Sequence, residues 1–400
     1  MTKKILKISA FVLIILAVAL TAYYFILSTN ENVATGKKPF FGNLFPFGNN
    51  TVVNEEIPFA STTPEIKNEP QTGTFEQKVR LISNEPVAGS IFIPSTKGDT
   101  VRYIEKATGH IFDVPTFENT TNRISNTTIP QIYIASFTEN GNSFIAQYTK
   151  DGDIIETFYG KITGTSTERT VSGTILSRST LSFSTSPDQK NIFVLEKTKG
   201  GTEGYIQNLA NMSKKLVWTS PLREFIPQFI STDHITLQSK PHTSANGLLF
   251  DINIQNNTTK LLLTQLNLST LSNKNGISVL YSNNKSLFVF NVETKKSVEI
   301  NPRTFPEKCV WANTKAFLYC AVPKTNLNST SLYSWYPGKV SYSDTIWEYD
   351  LVGDTARQIV NLEELAGRSI DISNISINQS DTLLLIQSKT DGSLWTVKTN

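Results

Sequence analysis

Two cysteines are the residues of this chain whose spacing supports a definite chemistry. Cys309 and Cys320 bracket Val310-Trp311-Ala312-Asn313-Thr314-Lys315-Ala316-Phe317-Leu318-Tyr319, a run that reads as strand, tight turn, strand. With the turn centred on Thr314-Lys315 the two thiols face each other. Directly opposed positions in an antiparallel pair lie roughly 4.5 to 5.5 Å apart at Cβ, within reach of a disulfide. Such a bridge needs an oxidising compartment. The alternative is a pair of reduced thiols buried as small apolar side chains. Zinc is disfavoured, because no histidine lies near either cysteine in sequence and a structural site normally takes four ligands.

The remaining chemistry is sparse. The 3 histidines, His110, His234 and His242, are scattered, and none has the spacing of a metal site or of a serine-histidine-acid arrangement. The sequence contains no P-loop, dinucleotide fingerprint, His-Glu-x-x-His or Gly-x-Ser-x-Gly motif, so no cofactor and no metal are expected. Asp151-Gly152-Asp153 lacks the further oxygen ligands of a calcium loop and reads as a hairpin turn. His110 follows Gly109 and reads as a solvated turn residue. Net charge is +3, with 18% charged residues dispersed along the chain, which argues against nucleic acid as a partner.

The elements that position these residues repeat. A turn rich in Gly, Asn, Asp or Ser precedes an apolar, aromatic-bearing strand seven times: before Ile111-Phe112, Ile154-Ile155, Tyr205-Ile206, Leu248, Leu287-Phe288, Ile346-Trp347 and Leu394-Trp395. A further strand follows six of them, among them Arg123-Ile124-Ser125, Leu216-Val217-Trp218, Leu261-Leu262-Leu263, Val298-Glu299-Ile300 and Gln358-Ile359-Val360. The seventh unit has none, whereas Val79-Arg80-Leu81-Ile82-Ser83 stands unpartnered at the start of the repeats. Small sheets that cannot bury both faces stack radially, and closing the ring protects their edges. The expected fold is therefore all-β, a seven-bladed β-propeller closed by its N-terminal strand. Six or eight blades stay open, because the second unit is poorly delimited between Tyr159 and Leu181. Leu362-Glu363-Glu364-Leu365-Ala366-Gly367 reads as locally helical.

Ser186-Pro187-Asp188-Gln189-Lys190-Asn191-Ile192-Phe193-Val194 resembles the Ser-Pro-Asp-Gly-Lys turn and following strand of TolB-type and WD-repeat-like propellers. Ile346-Trp347-Glu348-Tyr349-Asp350-Leu351 resembles a strand of the same family. The likeness spans about residues 79–400. Gln189 stands where that family has Gly, and the Gly-His and Trp-Asp signatures of strict WD repeats are missing. The resemblance implies architecture and places ligand sites on the face that carries the connections between blades; it implies no particular activity.

The N-terminal part is different. Residues 8–27 carry no charge and follow Lys3, Lys4 and Lys7, a length that matches one helical crossing of a bilayer core of roughly 30 Å. The lysines keep residues 1–7 cytoplasmic and place the rest of the chain outside the cell membrane as a single-pass protein. The competing reading is a cleaved signal peptide, with Ala17-Val18-Ala19 as the site, which would release a secreted soluble propeller. Residues 28–77 lack hydrophobic periodicity and read as a flexible tether ahead of a domain at 78–400. Within it, the segment 39–48 concentrates Phe40, Phe41, Phe45 and Phe47, candidates for contact with the bilayer interface, with the propeller, or with a partner.

A second candidate is the sixth unit, lengthened by residues 324–343, which carry Tyr333, Trp335, Tyr336 and Tyr342. Long loops in compact domains are often functional, and exposed Tyr and Trp make efficient contacts. The alternative is that Trp335 and Tyr336 fold back as a lid on that unit. Together these features point to a membrane-anchored extracytoplasmic scaffold that binds a protein or another cell-envelope component. The rival readings are a propeller enzyme, a hydrolase or lyase of envelope glycans, and the secreted form.

Overall fold

A computed structural model describes residues 77–138, 140–150, 154–164 and 169–400. The apolar run at 8–27, the tether, Phe40, Phe41, Phe45, Phe47 and the Asp151-Gly152-Asp153 turn lie outside the described residues. Each of seven sheets has four antiparallel strands, and six of them use four consecutive strands. The blades cover residues 87–123, 132–177, 180–220, 225–266, 269–300 and 309–361, and the seventh joins residues 372–398 to the strand Val79–Ser83.

Burial falls from the centre of each blade to its rim, and the strand sequences follow that gradient. The second strand of blade three, Asn191–Lys197, buries Ile192, Phe193, Val194 and Leu195 completely. It reads as a continuous apolar run because its two faces pack on different neighbouring blades. By contrast, the outer strand Thr258–Leu266 of blade four is mostly exposed and carries Thr and Lys. The core accordingly lies between blades. Ile104 and Ile111 of blade one pack with Ile132, Ala135 and Phe144 of blade two, and Phe193 and Leu195 of blade three pack with Ile235 and Leu237 of blade four.

Closure takes place between the two ends of the repeat region. Val79 pairs with Val397, Arg80 with Thr396 and Leu81 with Trp395, so the N-terminal strand takes the outer place in blade seven. Side chains latch the seam to blade one. The Arg80 guanidinium donates to the carbonyls of Pro115 (2.9 Å) and Thr116 (3.1 Å), and Gln387 Nε2 donates to Val87 O (2.5 Å). Gln147 and Gln238 hold the same fifth position in their second strands and likewise reach the first strand of the next blade, at Thr180 O and Thr270 N. The inner strands approach so closely that a Cβ on Gly89 would lie 2.1 Å from Ala135 O.

The ambiguous second unit is one blade, in which the long strands Ile154–Gly164 and Arg169–Ser177 pair from Thr157↔Ser177 to Gly164↔Arg169. The outer strand of blade one is shorter than the sequence suggests and covers only Asn122–Arg123. Turn chemistry repeats as well. Ser186 Oγ donates to Asp188 Oδ1 (2.6 Å) and accepts from Asn191 N (3.0 Å), while Gln189 takes φ +61°, the left-handed conformation that glycine would adopt freely. For Gln this costs on the order of 1 kcal/mol, which the hydrogen-bonded turn offsets. Between third and outer strands, Asn208, Asn253, Asn291 and Asp350 each accept the amides two and three residues ahead. The residue four ahead then turns left-handed, at Met212, Asn257, Lys295 and Asp354.

Candidate functional site

Because pairing within a blade is antiparallel, the turn between second and third strands opens on the same face as the connection to the next blade. Residues 324–343 leave the strand Phe317–Pro323 and return as Asp344–Asp350, so the blade-six insert rises on that face. Its centre is a single helical turn, Ser331–Trp335. Asn328 Oδ1 starts it by accepting from Thr330 N (2.9 Å) and the Ser331 hydroxyl (3.1 Å). Gly338, at φ +75°, ends it by donating to Trp335 O (2.9 Å). The turn sends Leu332 and Trp335, three residues apart, to one side and Tyr333 to the other.

The inward side is almost closed to water. Trp335 is 3% exposed, packs on Phe305 with ring centroids 5.6 Å apart, and donates from Nε1 to both carboxylate oxygens of Asp371 (2.9 and 3.0 Å). Asp371 also accepts from Lys308 Nζ at 2.5 Å, and the same nitrogen lies 2.5 Å from Asp344 Oδ2. The side chains of Lys308, Asp344 and Asp371 are 0%, 0% and 1% exposed. Lys308 Nζ further lies over the rings of Trp335 (5.0 Å) and Tyr342 (5.5 Å). Burial pushes the Asp344 carboxyl above the ordinary carboxylate range, against the pull of Lys308. Removing one member of such a buried charge set leaves the others uncompensated, at roughly 3–5 kcal/mol.

A second acid, half-buried, adjoins the first group. Glu307 Oε1 accepts from the Ser269 hydroxyl (2.5 Å) and from the Tyr336 hydroxyl, while Oε2 is buried without a partner. Desolvation raises the Glu307 pKa, and it raises that of Tyr336 well above the usual phenol value, with Glu307 beside it adding to the effect.

Other contacts carry the insert across its neighbours. Asn267 Nδ2 donates to Ser329 O (3.3 Å) and Arg303 to Leu327 O (3.3 Å). On the far side, Lys389 Nζ of blade seven donates to Tyr336 O (3.4 Å). Tyr333, 46% exposed, meets the His242 ring of blade four edge-on, with centroids 5.8 Å apart. The insert is thus a strap from blade four to blade seven, clamped below and aromatic above.

Of the four aromatic candidates in the insert, only Tyr333 faces outward. Trp335 is interior, and Tyr336 and Tyr342 are half-buried under the strap. Cys309 and Cys320 are register partners joined by a disulfide, S–S 2.08 Å, directly after Lys308. Sequence reasoning missed His242, Glu307, Lys308, Asp344 and Asp371. Only Asp371 carried a local signal, a charge set between Ile370 and Ile372.

Among the described residues, no group of three or more His, Cys, Asp or Glu is placed to hold a metal ion. His234 is committed within blade four, to Asp251 through Nδ1 (2.8 Å) and Asn253 through Nε2 (3.2 Å). A cavity of about 20 Å³ at the closing seam is lined by Arg80, Thr116 and Lys398, and an open groove of about 450 Å³ lies by Trp218 and Asn257 at the rim. Neither adjoins the strap.

Seven radial sheets, closed by an N-terminal outer strand, make the chain a seven-bladed β-propeller. No protein-family model matches the sequence, and no curated protein is a detectable relative. Solved structures are similar at low identity. An oligogalacturonate lyase in complex with manganese is similar over 78% of this chain and 96% of its own, at 9% identity and a TM-score of 0.48. TolB from Acinetobacter baumannii is similar over 78% of this chain and 79% of its own, at 10% identity and a TM-score of 0.43.

Proposed function

We propose that this protein is a membrane-anchored, extracytoplasmic propeller that binds a protein of the cell envelope through the strap face. The observation that carries the reading is the pairing of an outward Tyr333, braced by His242, with an underside fixed by Trp335 and the buried ion group. A contact residue held rigid before binding loses little conformational entropy when a partner arrives, and Tyr supplies large area with few rotatable bonds. The uncharged run at residues 8–27 and the segment that follows supply the anchor and tether in this reading. Tethering holds the face at raised local concentration beside membrane neighbours.

The test places a photo-reactive phenylalanine analogue at position 333 of the full-length protein in intact cells. The control position is Val352, 83% exposed in a turn between third and outer strands, on the opposite face. The expected result is a discrete adduct from position 333, identified as an envelope protein that native Y333S protein no longer co-purifies. Identical labelling from both positions overturns the reading.

A further inference from the structure

Lys308, Asp344 and Asp371 bring one amine and two carboxyl groups into contact, with side chains almost completely buried. Nζ lies 2.5 Å from Asp344 Oδ2 and 2.5 Å from Asp371 Oδ1, under the rings of Trp335 and Tyr342. In water an amine and an acid do not condense, because both are ionised and solvent drives the reverse reaction. Burial disfavours the charged forms and removes the water. Fixed contact adds an effective concentration on the order of 10⁵–10⁸ M for well-oriented groups.

The two acids are not equivalent. Asp344 Oδ2 accepts from Ile372 N (2.7 Å) as well as from Lys308, and Asp344 Oδ1 is buried with no partner. Asp371 instead has both oxygens held by Trp335 Nε1, and its Oδ1 also accepts from Lys308 Nζ. Asp344 therefore presents an oxygen that no donor holds, and Asp371 an oxygen in direct contact with the amine.

We propose that Lys308 and Asp344 join in an intramolecular amide bond, Nζ to Cγ, formed by the folded protein itself with Asp371 as the proton-transfer group. Asp344 enters as the neutral acid, consistent with the raising of its pKa by burial. The Lys308 ammonium gives one proton to Asp371, and the free amine attacks Asp344 Cγ. The charge that develops on Oδ2 faces the Ile372 amide. Asp371 then hands its proton to the Oδ1 hydroxyl, which departs as water, and recovers the second proton lost by Nζ. One C–N bond forms, one C–O bond breaks and one water leaves; no oxidant or reductant is involved.

The product ties the residue that precedes the first strand of blade six to the first residue of its third strand, with residues 324–343 inside the closed loop. The C-terminal end of the strap would then be fixed by a bond that reducing agents cannot cleave, unlike the neighbouring disulfide.

Peptide mapping of the purified full-length chain, unfolded, reduced, alkylated and digested with two proteases, tests this directly. The expected result is a branched species, lighter by one water than the sum of the peptides carrying Lys308 and Asp344, with the two linear peptides lost. Asp344→Asn gives the same branch lighter by one ammonia, since an amide side chain expels ammonia in the same attack. Asp371→Asn leaves linear peptides at their sequence masses. Linear peptides alone from the folded wild-type chain overturn the proposal, and so does a branch through Asp371.

Discussion

Val79 lies directly opposite Val397, and that single register pair joins two segments more than three hundred residues apart. Beneath it, Ile82 packs with Val87, Val101 and Leu394, so the closing strand contributes to the core between blades seven and one. Ile82→Ala should cost about 2–5 kcal/mol, read as a lower urea midpoint. It should also speed amide exchange in Leu394–Lys398. Leu237→Ala, also in the core but in blade four, should cost a similar amount without affecting that strand's exchange.

Trp335 is the clamp of the strap. Trp335→Phe keeps most of the ring contact with Phe305 and removes only the indole donor to Asp371, and leaving those buried oxygens short of a partner costs roughly 1–3 kcal/mol. The expected outcome is a destabilisation of that size by urea unfolding, together with protease cleavage inside residues 324–343 at a concentration that spares the wild type. Tyr333→Ser, on the outward side, should leave both readouts unchanged.

The architecture was legible because its signals are local. Gly or Asn turns, apolar second strands and an unpartnered segment at Val79 each sit in a few adjacent residues, and together they specify a closed ring. Blade two was hard to delimit because Arg169–Ser177 is mostly exposed and needs no apolar alternation. The buried ion group was not legible as a group, since Lys308 is separated from its partners by 36 and 63 residues and Asp344 is written like a solvated Asp. Nor does sequence tell which side of a one-turn helix faces the core: Trp335 and Tyr333 are two residues apart and point opposite ways.

Glu307 sets a pH dependence on the alkaline side. Desolvation raises its folded pKa above the ordinary 4.5, so the native state binds the proton more tightly than the unfolded chain. Its stabilisation is full below 4.5 and is lost as pH rises through the higher folded value. Glu307→Gln, neutral at every pH and able to keep the contacts to Ser269 and Tyr336, should flatten that decline. Unfolding midpoints measured from pH 4 to pH 9 would show a shallower slope in the variant; parallel curves would place the dependence elsewhere.

Asp381 works in the opposite direction, at the joint between blades six and seven. Burial alone would raise its pKa, but the Asn313 and Thr314 amides (2.7 Å each), the Asn313 side chain (3.0 Å) and the Thr314 hydroxyl (2.5 Å) outweigh it and hold the pKa below the ordinary 3.8. A depressed folded value means stability that is present above 3.8 and lost as pH falls through the folded value. Asp381→Asn keeps the size and the tolerance for its φ of +58°, yet its amide offers one acceptor oxygen to four donors. The expected loss at neutral pH is about 1.5–3 kcal/mol, shrinking toward the wild-type value as both proteins are taken into acid. Urea unfolding at pH 7 and pH 3 measures both parts. A deficit that stays constant between them would mean that the missing acceptor oxygen, and not the carboxylate charge, weakens the joint between the two blades.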